Sequence, residues 1–295
     1  MAGLSFVTLL AYDWKYSFQA IRSYYAIADE IILGVDADRI SWSKKPFLFD
    51  EKAVAHFIAE VDRDKKIRII EGNFHSHDEP FDNDTSERRH LGTACRAGNW
   101  VVQIDADEIL LNPLEFKNHL NTVPPGACVW ANWLPVFKII GNKALAIGGL
   151  PESTPVATLA PQRYNLARNT DQPYIMSPLR LLHLSWCRTE EELWQKLTNW
   201  GHSKDYDTGK FLDIWRNTNL ENYQQLKNFH PLHGPLWPFL GIIDWPPTSL
   251  FDPRQTAERT APPRDNRIIE LGRTASGGVA ISFGIPSTGA NGNAT

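Results

Sequence analysis

Residues 101–110 read VVQIDADEIL, an apolar run that ends in three carboxylates within four positions, Asp105, Asp107 and Glu108. Such acids repel one another. Leaving them unpaired at a buried strand end would cost several kcal/mol, so a cation or a strong donor is expected beside them. Strand alternation predicts that Asp105 and Asp107 share one side while Glu108 points away. Two carboxylates on one side, with room for water and phosphate, suit Mg²⁺ or Mn²⁺ held together with a diphosphate. The competing reading is a solvated turn whose acids cap a helix starting near Pro113.

These acids need elements to hold them. LSFVTLLAY (4–12) is the uninterrupted apolar run of a strand buried on both faces. From Trp14 to Ala28 the apolar residues recur every three or four positions, which predicts a helix. EIILGVD, ending on Asp36, is a second buried strand; 50–61 predicts a helix, KIRIIEG a strand, 73–87 a polar loop and Ser86 to Ala97 a further helix. Strand and helix alternate, so the fold class is α/β: a Rossmann-like, mainly parallel central sheet with helices on both faces and right-handed crossovers. Ligands of such sheets bind beyond the carboxyl ends of the strands. The polar strand ends Tyr12 and Asp13, Asp36 and Asp38, and Asp105 and Asp107 then gather at one rim.

Beyond a short helix near 113 the pattern changes. ACVWANWLPVFKII and KALAIGG read as strands joined by a Gly-Asn turn, 150–175 as loop, and LRLLHLSW (179–186) as another strand. RTEEELWQKLTNWGHSKD reads as a helix with Thr189 as N-cap and Glu190 to Glu192 in its first turn. The expected organisation is a catalytic domain over 1–205, a helical and Pro/Trp-rich extension over 206–271, and a disordered tail over 272–295.

Of the 295 residues, 42% are hydrophobic and 22% charged, as in an ordinary globular protein. No apolar run approaches the roughly 20 residues of a membrane span, and the first ten residues lack a basic leader region, so the expected location is the cytoplasm. Peripheral membrane contact is left open. Three cysteines without metal-ligand spacing point to reduced thiols. A net charge of −4 with scattered basic residues excludes a broad nucleic-acid footprint. The 11 tryptophans suit core packing and, at a surface, stacking on sugars.

QIDADE, following ERRHLGTACRAGNWVV, resembles the Asp-x-Asp signature and preceding helix of GT-A glycosyltransferases, particularly the family-2-like enzymes, and the likeness runs from about residue 4 to 205. The resemblance implies a metal-dependent transferase that moves a sugar from a nucleotide-diphosphate sugar to a hydroxyl of a carbohydrate acceptor. It implies Asp107 as direct metal ligand, Asp105 on the ribose or on a metal-bound water, Ala106 between them against the nucleotide, and His183 as a further metal ligand. It places Ala11, Tyr12 and Asp13 at the base and Asp36 at base or ribose, although LLAYD departs from the turn usual in relatives. His202 matches a recurring family pattern. Read from their chemistry, Arg88, Arg89 and Arg168 could meet diphosphate. An inverting reaction needs a base, for which Glu152 comes first and Asp171 second. Two rivals remain: a nucleotidyltransferase, against which AYDWKYS lacks the Gly-rich phosphate loop, and a non-catalytic carbohydrate-binding protein.

Overall fold

The computed structural model describes residues 2–149, 152–199, 207–231, 234–245, 268–273 and 279–284. β1 (Leu4–Leu10) and β2 (Glu30–Asp36) are buried at every position, which is why their sequences show no polar alternation. β3 (Ile67–Gly72) pairs with β2, β2 with β1, and β1 with β4 (Trp100–Gln103), all in parallel. This yields the order β3-β2-β1-β4 expected of the alternating pattern.

Helices cover both faces. On one, α1 (Ser17–Tyr24), α2 (Glu51–Val61) and α4 (Pro113–Leu120) bury Ala20, Ile21, Tyr24, Phe57, Phe116 and Leu120 against Phe6, Ile31, Leu33 and Val102. The Tyr24 ring stacks on Phe6 at 4.3 Å, and Phe18 stacks on Phe57 at 4.1 Å. On the other face, α3 (Pro80–Thr93) buries Leu91 among Val7, Leu9, Ile32 and Val101. It comes so close to β2 that a Cβ on Gly34 would collide with Leu91. α3 starts six residues before the predicted Ser86. Its first turns look like loop in the sequence because the face they bury is polar: Asn83, Asp84, Thr85, Glu87 and Arg88 leave no apolar periodicity.

β4 stops at Gln103, so Asp105 and Asp107 lie in a turn rather than on the strand, and the alternation argument does not apply to them. Glu108 opens β5 (Glu108–Leu110), which pairs antiparallel with β11 (Tyr174–His183) and sets Glu108 opposite His183. The second half of the sheet is mixed. β6 (Cys128–Ile140) and β7 (Lys143–Gly148) form the expected hairpin, with Gly141 at φ +60° in its turn. β8 (Ser153–Thr158) joins this half to β4, and β11 runs parallel to β6. β9 (Tyr164–Leu166) and β10 (Asn169–Thr170) form a small ladder inside the expected loop.

α5 (Glu190–Asn199) is capped as predicted. Thr189 Oγ1 accepts from Glu192 N–H, and a Glu192 carboxylate oxygen accepts from Thr189 N–H. The boundary drawn at 205 is crossed by a common core. Leu193 and Leu197 of α5 pack with Phe211, Leu212 and Trp215 of α6 (Thr208–Asn217), with Phe137 and Leu145 of the sheet, and with Trp237. β12 (Phe239–Asp244) then extends the sheet beside β7. β13 (Ile268–Arg273), which starts in the expected extension, and β14 (Val279–Gly284), in the tail expected to be disordered, form an antiparallel ladder. No helix among the described residues is long and apolar enough to cross a membrane.

Candidate active site

A cavity of about 280 Å³ opens at the carboxyl ends of β1, β2 and β4. Its lining includes Ala11, Tyr12, Asp13, Asp36, Arg88, Asp105, Ala106, Asp107 and His183, which the fold therefore brings together. The lining combines apolar and aromatic side chains, Ile40, Trp42, Phe47, Pro80 and Phe81, with charged ones, Asp84, Arg88, Asp105, Asp107, Arg168 and Lys196; the Arg88 guanidinium lies 5.8 Å over the Trp42 ring.

The positive charge demanded by the acidic turn comes first from the chain itself. Asp105 Oδ1 accepts from Arg88 Nη1 at 2.8 Å, and Arg168 Nη2 lies 3.5 Å from Oδ2. Burial would raise the Asp105 pKa, but the Arg168 and Arg88 guanidiniums outweigh it and hold the carboxyl down at about 2. Asp107 Oδ2 accepts from Arg188 Nη2 at 2.7 Å and from Lys196 Nζ at 2.8 Å. Burial again opposes ionisation, and Lys196, His183 and Arg188 together keep Asp107 well below the usual carboxylate range. Glu108 does face away from the cavity. It is fully buried, accepts from both terminal nitrogens of Arg168, from Trp133 Nε1 at 2.7 Å and from Asp105 through that residue's backbone N–H.

Lys196 and Arg188 are absent from the expected site. They sit 89 and 81 residues from Asp107 in sequence, and Lys196 reads there only as part of an amphipathic helix. A lysine three residues after Leu193 and next to Leu197, on the buried side of that helix, is the available signal. Trp133 is equally hidden in a strand; its ring lies 4.7 Å from that of His183.

Several expectations are corrected. Asp36 has no acceptor site to offer a ribose: Oδ1 accepts from Asp38 and Ile40 N–H, Oδ2 from Phe74 N–H at 2.7 Å, and His75 Nδ1 lies 2.8 Å from Oδ2. It instead ties the loop after β2 to the end of β3. Arg89 does not line the cavity and donates to the Tyr164 carbonyl. Asp171 is exposed and paired in a fork with Arg163, and does not line the cavity. Glu152 also lies outside the lining. Burial pushes its pKa up, opposed by the Trp237 indole N–H that donates to it and by nearby His183. His202 lies outside the described residues.

Two places could hold a cation. Asp36, Asp38 and His75 place one ligand atom each within 4.8 Å of one another, though Asp36 is already saturated. In the cavity, Asp107 Oδ1 and His183 Nε2 face each other at 3.5 Å, a spacing that one small divalent ion can share. The charge balance agrees. Arg88, Arg168, Arg188 and Lys196 are already matched by Asp13, Asp84, Asp105, Asp107 and Glu108, so an incoming diphosphate would arrive without compensation.

No family model matches the sequence, and no curated protein matches it. Among solved structures, a 4-diphosphocytidyl-2C-methyl-D-erythritol synthase superposes with a TM-score of 0.36 at 10% identity, covering 67% of this chain and 99% of that one. HddC from Yersinia pseudotuberculosis gives 0.34 at 7% identity over 66% and 97% of the two chains. A mannose-1-phosphate geranyltransferase from Thermus thermophilus gives 0.27 at 11% identity over 75% and 67%. Likenesses of this depth leave the function to the site itself.

Proposed function

We propose that this chain is a glycosyltransferase that moves a sugar from a nucleotide-diphosphate sugar to a hydroxyl of a carbohydrate acceptor. The observation that carries the reading is one cavity at the strand ends whose lining combines the aromatic side chains of Trp42, Phe47 and Phe81 with the charged cluster around Asp105 and Asp107. Trp42, Phe47 and Phe81 would receive the base and exclude water from it. Arg88 and Arg168, held rigid by Asp84 and Glu108, would set the positive field that the diphosphate meets.

Asp107 and His183 would hold Mn²⁺ or Mg²⁺, which when bound neutralises negative charge on the departing nucleoside diphosphate. Lys196 and Arg188 keep Asp107 ionised and fix its Oδ2, leaving Oδ1 turned toward His183. Trp133, over His183, offers a flat face for a sugar ring.

The test is nucleotide release from a panel of nucleotide sugars with and without Mn²⁺. Metal-stimulated release of nucleoside diphosphate that Asp107→Ala abolishes supports the reading. Release of pyrophosphate from a nucleoside triphosphate and a sugar phosphate would replace it with the nucleotidyltransferase. Metal-independent sugar binding indifferent to the nucleotide would replace it with a binding protein.

A further inference from the structure

Glu87 is a carboxyl group that neither the acidic turn nor the core explains. It projects from α3, is 4% exposed, and lines the cavity beside Trp42. Trp42 Nε1 donates to Oε2 at 2.6 Å. Oε1 has no hydrogen-bond partner among the described residues. Room for it exists because β2 carries glycine opposite: a Cβ on Gly34 would stand 3.1 Å from Oε1. Oε1 is thus left open on the cavity side, where a bound ligand can meet it.

The direction of the Trp42 bond decides what Glu87 can offer. Indole N–H only donates, and the carbonyl oxygen of a neutral carboxyl is the better acceptor, so the Trp42 bond favours Oε2 as the carbonyl oxygen. In a neutral carboxyl, Oε1 then carries the proton and is a donor. We propose that Glu87, held by Trp42, donates from Oε1 to the exocyclic keto oxygen of the nucleobase, and so selects uridine, thymidine or guanosine diphosphates over those of cytidine and adenosine. Cytosine and adenine present an amino group where uracil, thymine and guanine present oxygen, and an amine facing the Oε1 donor leaves both unpaired. This inference rests on the nucleotide-sugar reading of the same cavity.

The protonation state agrees with the geometry. Burial pushes the Glu87 pKa up to about 8; Trp42 lowers it, Asp84 raises it, Arg88 lowers it and Asp36 raises it. Trp42 meets it from the loop after β2, and the charged groups facing it are Asp84 and Arg88 of α3 and Asp36 at the end of β2. The neutral, donating form therefore predominates below about pH 8, and above it Oε1 becomes an acceptor that repels a keto oxygen.

The experiment is calorimetric binding of UDP, GDP, CDP and ADP in Mg²⁺ to the full chain between about pH 6.5 and 9, for wild type, Glu87→Gln and Glu87→Leu. Wild type should bind UDP or GDP at least about tenfold more tightly than CDP and ADP near neutral pH. That preference should fall by up to about tenfold per pH unit above about 8. Glu87→Gln keeps a donor in place, since its carbonyl accepts from Trp42 and its amide N–H₂ faces the base; it should retain the preference and lose the pH dependence. Glu87→Leu should lose the preference. CDP or ADP binding as tightly as UDP and GDP, or a pH dependence identical in wild type and Glu87→Gln, overturns the base assignment while leaving the transferase reading intact. Binding of no nucleoside diphosphate at all overturns both.

Discussion

The pairing of Asp107 with Lys196 and Arg188 can be measured as a coupling free energy. Asp107→Asn leaves Arg188 with Asp13 at 3.1 Å but leaves the buried Lys196 facing a neutral amide. An uncompensated buried charge of that kind costs roughly 3–5 kcal/mol. Lys196→Met should cost less, about 1–2 kcal/mol, because Asp107 keeps the Arg188 guanidinium at 2.7 Å and the thioether refills the volume. In the double variant the orphaned cation is gone, so the loss should fall short of the sum of the two singles by about 2 kcal/mol or more. Urea unfolding of the four proteins near neutral pH, with an unchanged denaturant slope as the control for a common unfolded state, reads these values directly. Losses that add within about 0.5 kcal/mol, or a Lys196→Met variant less stable than Asp107→Asn, would show that the two side chains do not depend on each other and would refute the account of how the acidic turn is tolerated.

Two further outcomes follow from the same geometry. Because the Asp105 pKa drops from 3.8 to about 2 on folding, its share of stability is complete above about pH 4 and is lost as pH falls toward 2, an effect of roughly 2 kcal/mol that should be missing from the acid limb of Asp105→Asn. Gly34→Ala forces a methyl into Leu91 and toward Glu87 Oε1, which should cost about 1–3 kcal/mol by thermal unfolding; a variant as stable as wild type would mean that α3 does not lie so close to β2.

Much of the parallel half of the sheet can be read from residue order, because β1, β2 and β4 are buried on both faces and say so through unbroken apolar runs. The rim of the cavity follows from the same rule about strand ends. What stays hidden has a common cause: wherever the protein buries charge, the hydrophobic pattern falls silent. The start of α3 is polar on its inner side because Asp84, Glu87 and Arg88 build the cavity wall. Arg188 and Lys196 look like surface residues until the chain returns to Asp107 from a distant helix. Asp36 misleads in the opposite sense, since a polar strand end reads as a ligand contact whether its partner is a ribose or the backbone of Phe74.

The seating of α5 has a consequence for how the protein is made. Lys196 reaches Asp107 only because Leu193 and Leu197 on the same helix are anchored among Trp215 and Trp237. During synthesis the acidic turn emerges 89 residues ahead of its lysine, and the anchoring tryptophans follow later still. Until then Asp107 lacks the Lys196 and Arg188 partners that offset its burial. The charged cluster around Asp107 is thus completed by the part of the chain that leaves the ribosome after the acidic turn, and a nascent N-terminal half lacks the lysine that this cluster needs.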